Sequence, residues 1–212
     1  MKVESHPHKA YTEIRRKILT FQLLPNTRLK EDEWAKKLEI SRVSIIEALT
    51  RLLGEGLLIQ GAKGGCFIKA ITASDVPAIR ELRQILELGA LRLAFKKITR
   101  GQILKLEKIC DHFTTMVKQG YYSGVWEADI KFHETLMESS GNLKLLEVYR
   151  ASHIPLFHYK LSKTNEYMDD YELTDSEHRK LVKAIKDREL DLAEKILTNH
   201  FLRGESIVLD LE

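Results

Sequence analysis

The feature that most constrains this chain is a glycine-rich link, Gly61-Ala62-Lys63-Gly64-Gly65, set between two β-prone runs, Leu57 to Gln60 and Cys66 to Lys69. Glycine enters backbone conformations that other residues resist, so a stretch of this kind between two short apolar runs reads as a hairpin tip. Three helical patterns come before it. Ile14, Ile18 and Leu19 recur at helical spacing between Tyr11 and Phe21, and Pro25-Asn26 then breaks the run. Glu31 to Leu38 forms a second, short pattern with Trp34, Ala35 and Leu38 on its apolar side. After a turn at Glu39-Ile40, Ser41 supplies an N-cap, and a third helix runs to Gly54 with Ile45, Ala48, Leu49, Leu52 and Leu53 facing inward.

The order helix, helix-turn-helix, hairpin predicts a winged helix-turn-helix. A small α+β domain without a nucleic-acid role shares the same pattern, but Lys63 at the tip and Arg42 at the start of the third helix stand where phosphates and base edges would lie. Residues 70 to 76 form a short link, and from Pro77 onward the pattern is helical with no strand signal. Six helices are expected, over 75–97, 100–119, 121–139, 142–163, 174–187 and 190–208, with loops short enough to make a bundle. The fold class is therefore mainly α: a winged DNA-binding domain over 1–71, a hinge at 72–76, and an all-helical domain over 77–212, for which the family resemblance described below implies effector binding and dimerisation.

Charge follows the same division. Residues 1–71 carry thirteen Lys and Arg against eight Asp and Glu, a net +5, whereas the rest carries 21 against 23. A basic N-terminal third on a slightly acidic body suits a module that meets DNA phosphates. No apolar run approaches the ~20 residues of a membrane span, and the first residues lack an apolar signal segment, which predicts a soluble, cytoplasmic chain. Cys66 and Cys110 form no CxxC pair, so neither a disulfide framework nor a thiolate zinc site is expected, and both read as structural.

One pair carries chemistry. Asp129 and His133 are four residues apart on one helix, so they project from the same face, beside Phe132 and Leu136. A carboxylate and an imidazole turned toward a core need partners; they can satisfy one another or share a divalent cation. His178 and His200, on two later helices, are candidates to join them, giving an oxygen/nitrogen set suited to zinc, nickel or manganese. His112, His153 and His158 are assigned ordinary core or surface roles.

Leu24-Pro25, Leu29-Lys30-Glu31, Ala35 to Arg42, Glu47-Ala48-Leu49, Leu52 and Glu55-Gly56-Leu57 together resemble the DNA-binding domain of the GntR family of bacterial regulators. The second half resembles the FCD effector domain of its FadR-type subfamily, in the shorter six-helix form associated with VanR-like members. That likeness is carried by Glu81-Leu82-Arg83 with Leu86-Glu87, by Asp129 with Phe132-His133, Leu136 and Ser140-Gly141-Asn142, and by Glu177-His178 with Leu181 and Ala184-Ile185. The resemblance implies that Asp129, His133, His178 and His200 are metal ligands and that Arg83 faces an effector pocket, where a small carboxylate is the expected ligand. Arg83 pairing with Glu87 one turn on is the competing reading.

The resemblance also implies a homodimer on a double-stranded operator, with Arg42, Ser44, Arg51, Lys63 and Gly64 as DNA contacts. Two positions depart from the family pattern: Ile46 stands where an arginine is usual, and Asp32 where a basic residue can occur. Isoleucine offers only apolar contact, for example to a thymine methyl. Two other function classes remain open from the sequence, a degenerate regulator that binds any duplex and a metal-dependent hydrolase, although no candidate general base stands out for the latter.

Overall fold

The computed structural model describes residues 5–20, 22–72, 74–152 and 171–209. The chain divides into two compact units, Met1–Ile71 and Thr72–Glu212.

In the first unit, α1 (His6–Leu19) is followed by β1 (Arg28–Leu29), α2 (Glu31–Leu38), α3 (Arg42–Gly54), β2 (Leu58–Gln60) and β3 (Cys66–Ile68). Helix α1 starts five residues earlier than apolar periodicity suggests. Its first turn is His6-Pro7-His8-Lys9, which has no apolar stripe to read, but Pro7 suits that turn because its missing N–H has no helical acceptor there. Helices α1 and α2 both pack on α3, burying Ile14, Ile18 and Leu19 against the Ile45, Ala48, Leu49 and Leu52 face. The α2–α3 turn is tight because Glu39 takes a left-handed conformation (φ 55°) and the Ile40 N–H closes on the Ala35 carbonyl at 3.1 Å. Ser41 caps α3 as expected, its hydroxyl accepting from the Ser44 N–H.

The expected hairpin is present, and a strand that sequence patterning missed joins it. β2 pairs antiparallel with β3, with Leu58 opposite Ile68 and Gln60 opposite Cys66; β1 pairs with the other edge of β3, giving the order β1-β3-β2. Two residues are too few to show alternation, so β1 had no sequence signal. At the tip, Gly64 (φ 82°) and Gly65 (φ 88°) occupy conformations that strain other residues, and a β-carbon on Gly65 would also meet the Arg28 guanidinium at 3.0 Å.

Among the described residues the second unit contains six helices: α4 (Asp75–Phe95), α5 (Arg100–Lys118), α6 (Tyr122–Ser139), α7 (Leu143–Ser152), α8 (Tyr171–Lys186) and α9 (Leu190–Leu209). The expected helix over 142–163 is described only as far as Ser152; its remainder, with His153 and His158, lies outside the described residues. Helix α4 begins at Asp75, whose carboxylate takes hydrogen bonds from the Thr72 N–H (2.8 Å) and hydroxyl (2.6 Å). A reciprocal Thr99–Gln102 capping box starts α5. Helix α4 packs on α6 and α9, and α5 packs on α6 and α8. Their shared core includes Leu106, Phe132, Leu136, Leu181, Ile185, Leu197 and Phe201. The polar centre is embedded in this core.

Candidate metal centre and nucleic-acid interface

Asp129 and His133 on α6 meet His178 from α8 and His200 from α9, with one potential ligand atom of each within 4.8 Å of all the others. The imidazole centroids form a near-regular triangle, 5.3, 5.3 and 5.1 Å on a side. Asp129 Oδ1 lies 3.8 Å from His133 Nε2 and 3.5 Å from His178 Nε2. Ligands held ~2.1 Å from one ion sit about 3–3.5 Å apart, so these spacings are close to those a cation imposes.

Packing fixes each ring. His178 is buried, stacked face to face on Phe132 (4.0 Å between centroids, 11° between planes) with Phe113 edge-on. Burial pushes its pKa well below the ordinary histidine value, and the neighbouring His200 and His133 add to this. Burial also lowers His200, against the opposing hydrogen bond to Glu177. Both shifts favour the neutral imidazole, the form that binds metal.

Carboxylates sit behind two of the rings. Glu87 Oε2 is 2.6 Å from His133 Nδ1, and Glu177 Oε2 is 2.7 Å from His200 Nδ1, so in each ring the other nitrogen is left to the centre. Burial raises the Glu177 carboxyl, but hydrogen bonds with His200 and Arg203 outweigh it and hold the pKa at about 2. Two ring atoms, His133 Nε2 and His178 Nε2, are buried with no hydrogen-bond partner among the described residues. Leaving such groups unpaired costs about 1–3 kcal/mol each, and both face Asp129 Oδ1, at 3.8 and 3.5 Å. The donor set, two orphaned imidazole nitrogens, a third imidazole and a carboxylate, fits a divalent cation.

Arg83 completes the surroundings. It is buried on α4, its Nε donates to Glu87 Oε1 at 2.9 Å, and its guanidinium lies 4.8 Å above the Phe201 ring. The ion pair with Glu87 is thus formed. One further donor, Nη2, has no hydrogen-bond partner among the described residues. Tyr149 on α7 donates to the same Glu87 oxygen at 3.2 Å. Glu87 therefore links Arg83, Tyr149 and His133 within the core. The sequence names Glu87 as a partner for Arg83 and, with Glu177, as part of a family motif, but gives neither glutamate a role behind a histidine, and it does not single out Tyr149; the i,i+4 spacing of Arg83 and Glu87 is the available signal.

On the first unit, α3 alternates regularly between buried pairs (Ser44-Ile45, Ala48-Leu49) and exposed pairs (Arg42-Val43, Ile46-Glu47, Thr50-Arg51). Arg42 is exposed but tied to α2, with Nη2 2.5 Å from Glu31 and Nε 3.4 Å from Asp32. Ser44 is only 8% exposed and its hydroxyl lies 2.9 Å from that of Ser41, inside the helix cap. Arg51 is held over the Tyr11 ring at 3.5 Å and 3.3 Å from Glu55. Lys63 and Gly64 are exposed at the hairpin tip.

Both units match known sequence families: residues 8–68 match the gntR family of bacterial regulatory proteins, and residues 78–203 match the FCD domain. The chain is 27% identical to the uncharacterised HTH-type transcriptional regulator YdhC of Bacillus subtilis over 90% of its own length and 85% of that protein's. It is 24% identical to the gluconate operon transcriptional repressor of Bacillus licheniformis, covering 94% of this chain and 83% of the relative. Among solved structures it superimposes on Escherichia coli McbR/YncC with a TM-score of 0.87 at 19% identity, over 98% of this chain and 99% of that one, a likeness of fold. A winged helix-turn-helix followed by an FCD bundle, matched over nearly the whole chain, places this protein in the GntR family as a DNA-binding transcriptional regulator of the FCD type and not an enzyme.

Proposed function

We propose that this chain is a metal-containing, effector-responsive regulator that binds a double-stranded operator as a homodimer in the cytoplasm and senses a small carboxylate in its helical unit. The observation that carries this reading is the convergence of Asp129, His133, His178 and His200, two of whose imidazole nitrogens are buried and unpartnered. These four residues would hold the ion. Bound there, a cation supplies a Lewis-acidic charge to which an anionic oxygen is drawn.

The chain's own residues do the rest. Glu87 and Glu177 hold His133 and His200 in the tautomers that present their remaining nitrogens inward. Arg83, already balanced by Glu87, keeps the unpartnered Nη2 as a donor for a ligand carboxylate. Phe132, Phe113 and Phe201 exclude water around these groups, which strengthens each electrostatic contact. The relative named as the repressor of a gluconate operon is consistent with a carboxylate effector. On the first unit, Arg42, Arg51, Lys63 and Gly64 supply phosphate contacts, and Ser44, buried in the first turn of α3, acts by donating its N–H to the Ser41 cap of the helix that carries Arg42. The hinge at 72–76 connects the sensing unit to the DNA-binding unit.

The test is metal content by mass spectrometry on purified protein, comparing the wild type with the His133→Ala/His178→Ala variant, followed by operator binding with a panel of small carboxylates. Stoichiometric metal that disappears in the variant, together with a carboxylate that changes operator affinity only in the wild type, supports the proposal. No metal, no stabilisation by zinc, nickel or manganese, and indifference to every carboxylate overturns it.

A further inference from the structure

The outward side of α3 over its first turns is made of Arg42, Val43, Ile46, Glu47 and Thr50. Val43 is 72% exposed and Ile46 43%, three residues apart and therefore neighbours on one face. Two adjacent branched apolar side chains in water, on the helix that a helix-turn-helix lays into the major groove, need a purpose other than packing within the unit. That packing is already supplied by the opposite face, where Ile45, Ala48, Leu49 and Leu52 are buried.

Guanine shows only acceptors, N7 and O6, in the major groove, so reading it requires a donor. Over these turns the sole strong donor is Arg42, and its guanidinium is held by Glu31 and Asp32 of α2. Glu47 offers acceptors only. Thr50 spends its hydroxyl proton on the Ile46 carbonyl at 2.8 Å. The hydroxyls of Ser41 and Ser44 face one another at the helix start. Apart from the Glu47 carboxylate, which can only accept from a cytosine or adenine amino group, what this face offers a base edge is hydrocarbon, and the one hydrocarbon group in the major groove is the thymine C5-methyl.

We infer that Val43 and Ile46 are specificity-determining residues that read thymine methyl groups, so that the operator half-site is defined by thymines at the positions facing them, with Arg42 confined to the phosphate backbone. This rests on the DNA-binding reading of the first unit and deepens it. Burying one methyl-sized group is worth ~0.8 kcal/mol, which corresponds to about a 4-fold change in affinity per contact.

The experiment is selection of duplexes from a randomised pool by the full-length protein, followed by replacement of thymine with uracil, which removes only the C5-methyl, at each position of the selected half-site. Enrichment of thymine at one or two positions, a several-fold loss of affinity on uracil substitution there, and the disappearance of that loss in Val43→Ala or Ile46→Ala are expected. Both variants alter exposed side chains, and an unchanged melting temperature confirms that they fold. Enrichment of a guanine-based half-site that depends on Arg42, or uracil substitution without effect, overturns the inference while leaving specific DNA binding intact. Failure to enrich any sequence overturns the operator-binding reading itself, and the inference with it.

Discussion

The carboxylate of Glu87 lies 2.6 Å from Nδ1 of His133, deep in the core, while its other oxygen takes the Arg83 Nε–H at 2.9 Å. One residue therefore sets the orientation of a candidate ligand and balances the charge of a candidate effector contact. Glu87→Gln should show both roles. Losing the counter-charge of buried Arg83 should cost about 3 kcal/mol of stability, and loss of the carboxylate behind His133 should weaken zinc binding by about 10- to 100-fold. Denaturant unfolding measures the first, and competition with a chromophoric chelator the second. Replacing Arg83 by Met in the same variant should restore much of the stability but not the zinc affinity; restoration of both would show that Glu87 serves Arg83 alone.

If the four-residue centre takes a cation in the native state only, the ion adds to folding stability by mass action. Chelator-treated protein should gain about 2.7 kcal/mol at a zinc concentration one hundred times the dissociation constant, seen as a saturable rise in melting temperature. His178→Ala should abolish the rise. A wild type indifferent to zinc would leave the orphaned nitrogens of His133 and His178 without this explanation.

What was legible in the sequence had a periodic or punctuated signal. The Ile45, Ala48, Leu49, Leu52 stripe and the Ser41 cap foretold α3, and the glycines of 61–65 foretold the hairpin tip between β2 and β3. The four candidate ligands are also legible, Asp129 and His133 by their spacing, His178 and His200 as histidines on two later helices, and all four through resemblance to a family. Strand β1 was invisible because its pairing with β3 is a long-range contact made by only two residues. The roles of Tyr149 and Glu177 were invisible for a related reason: each depends on which helix packs behind the centre. The tethering of Arg42 by Glu31 and Asp32 likewise depends on the α2–α3 turn and not on any local pattern.

That tethering separates two kinds of DNA contact. Arg42→Ala should weaken binding to a selected operator and to unrelated duplex by similar factors and reduce the salt slope by about one unit, as expected for loss of a phosphate contact. Thermal stability should stay nearly constant, since the Arg42 pairs are solvent-exposed. Titrations of both duplexes at several salt concentrations check this. A loss confined to the selected operator would instead make Arg42 a reader of bases.

Tyr11 ties α1 to the end of α3, donating its hydroxyl to Glu55 at 2.7 Å beneath the Arg51 guanidinium. Burial pushes its phenol up; Arg15 pulls it down; the hydrogen bond and charge of Glu55 raise it further, to about 12 against an ordinary 10.0. The folded protein thus keeps this proton after the unfolded chain has released it. The stabilisation is complete below pH 10 and is lost between about pH 10 and 12, amounting to about 2–3 kcal/mol across that window. Tyr11→Phe removes the titration and the hydrogen bond together. Near neutrality the variant should be about 1 kcal/mol less stable than the wild type, and the gap should close and then reverse as pH rises from about 10 toward 12. Denaturant unfolding of both proteins from pH ~8 upward measures it, and a gap that stays constant would mean that the Tyr11 phenol titrates alike in the folded and unfolded chains.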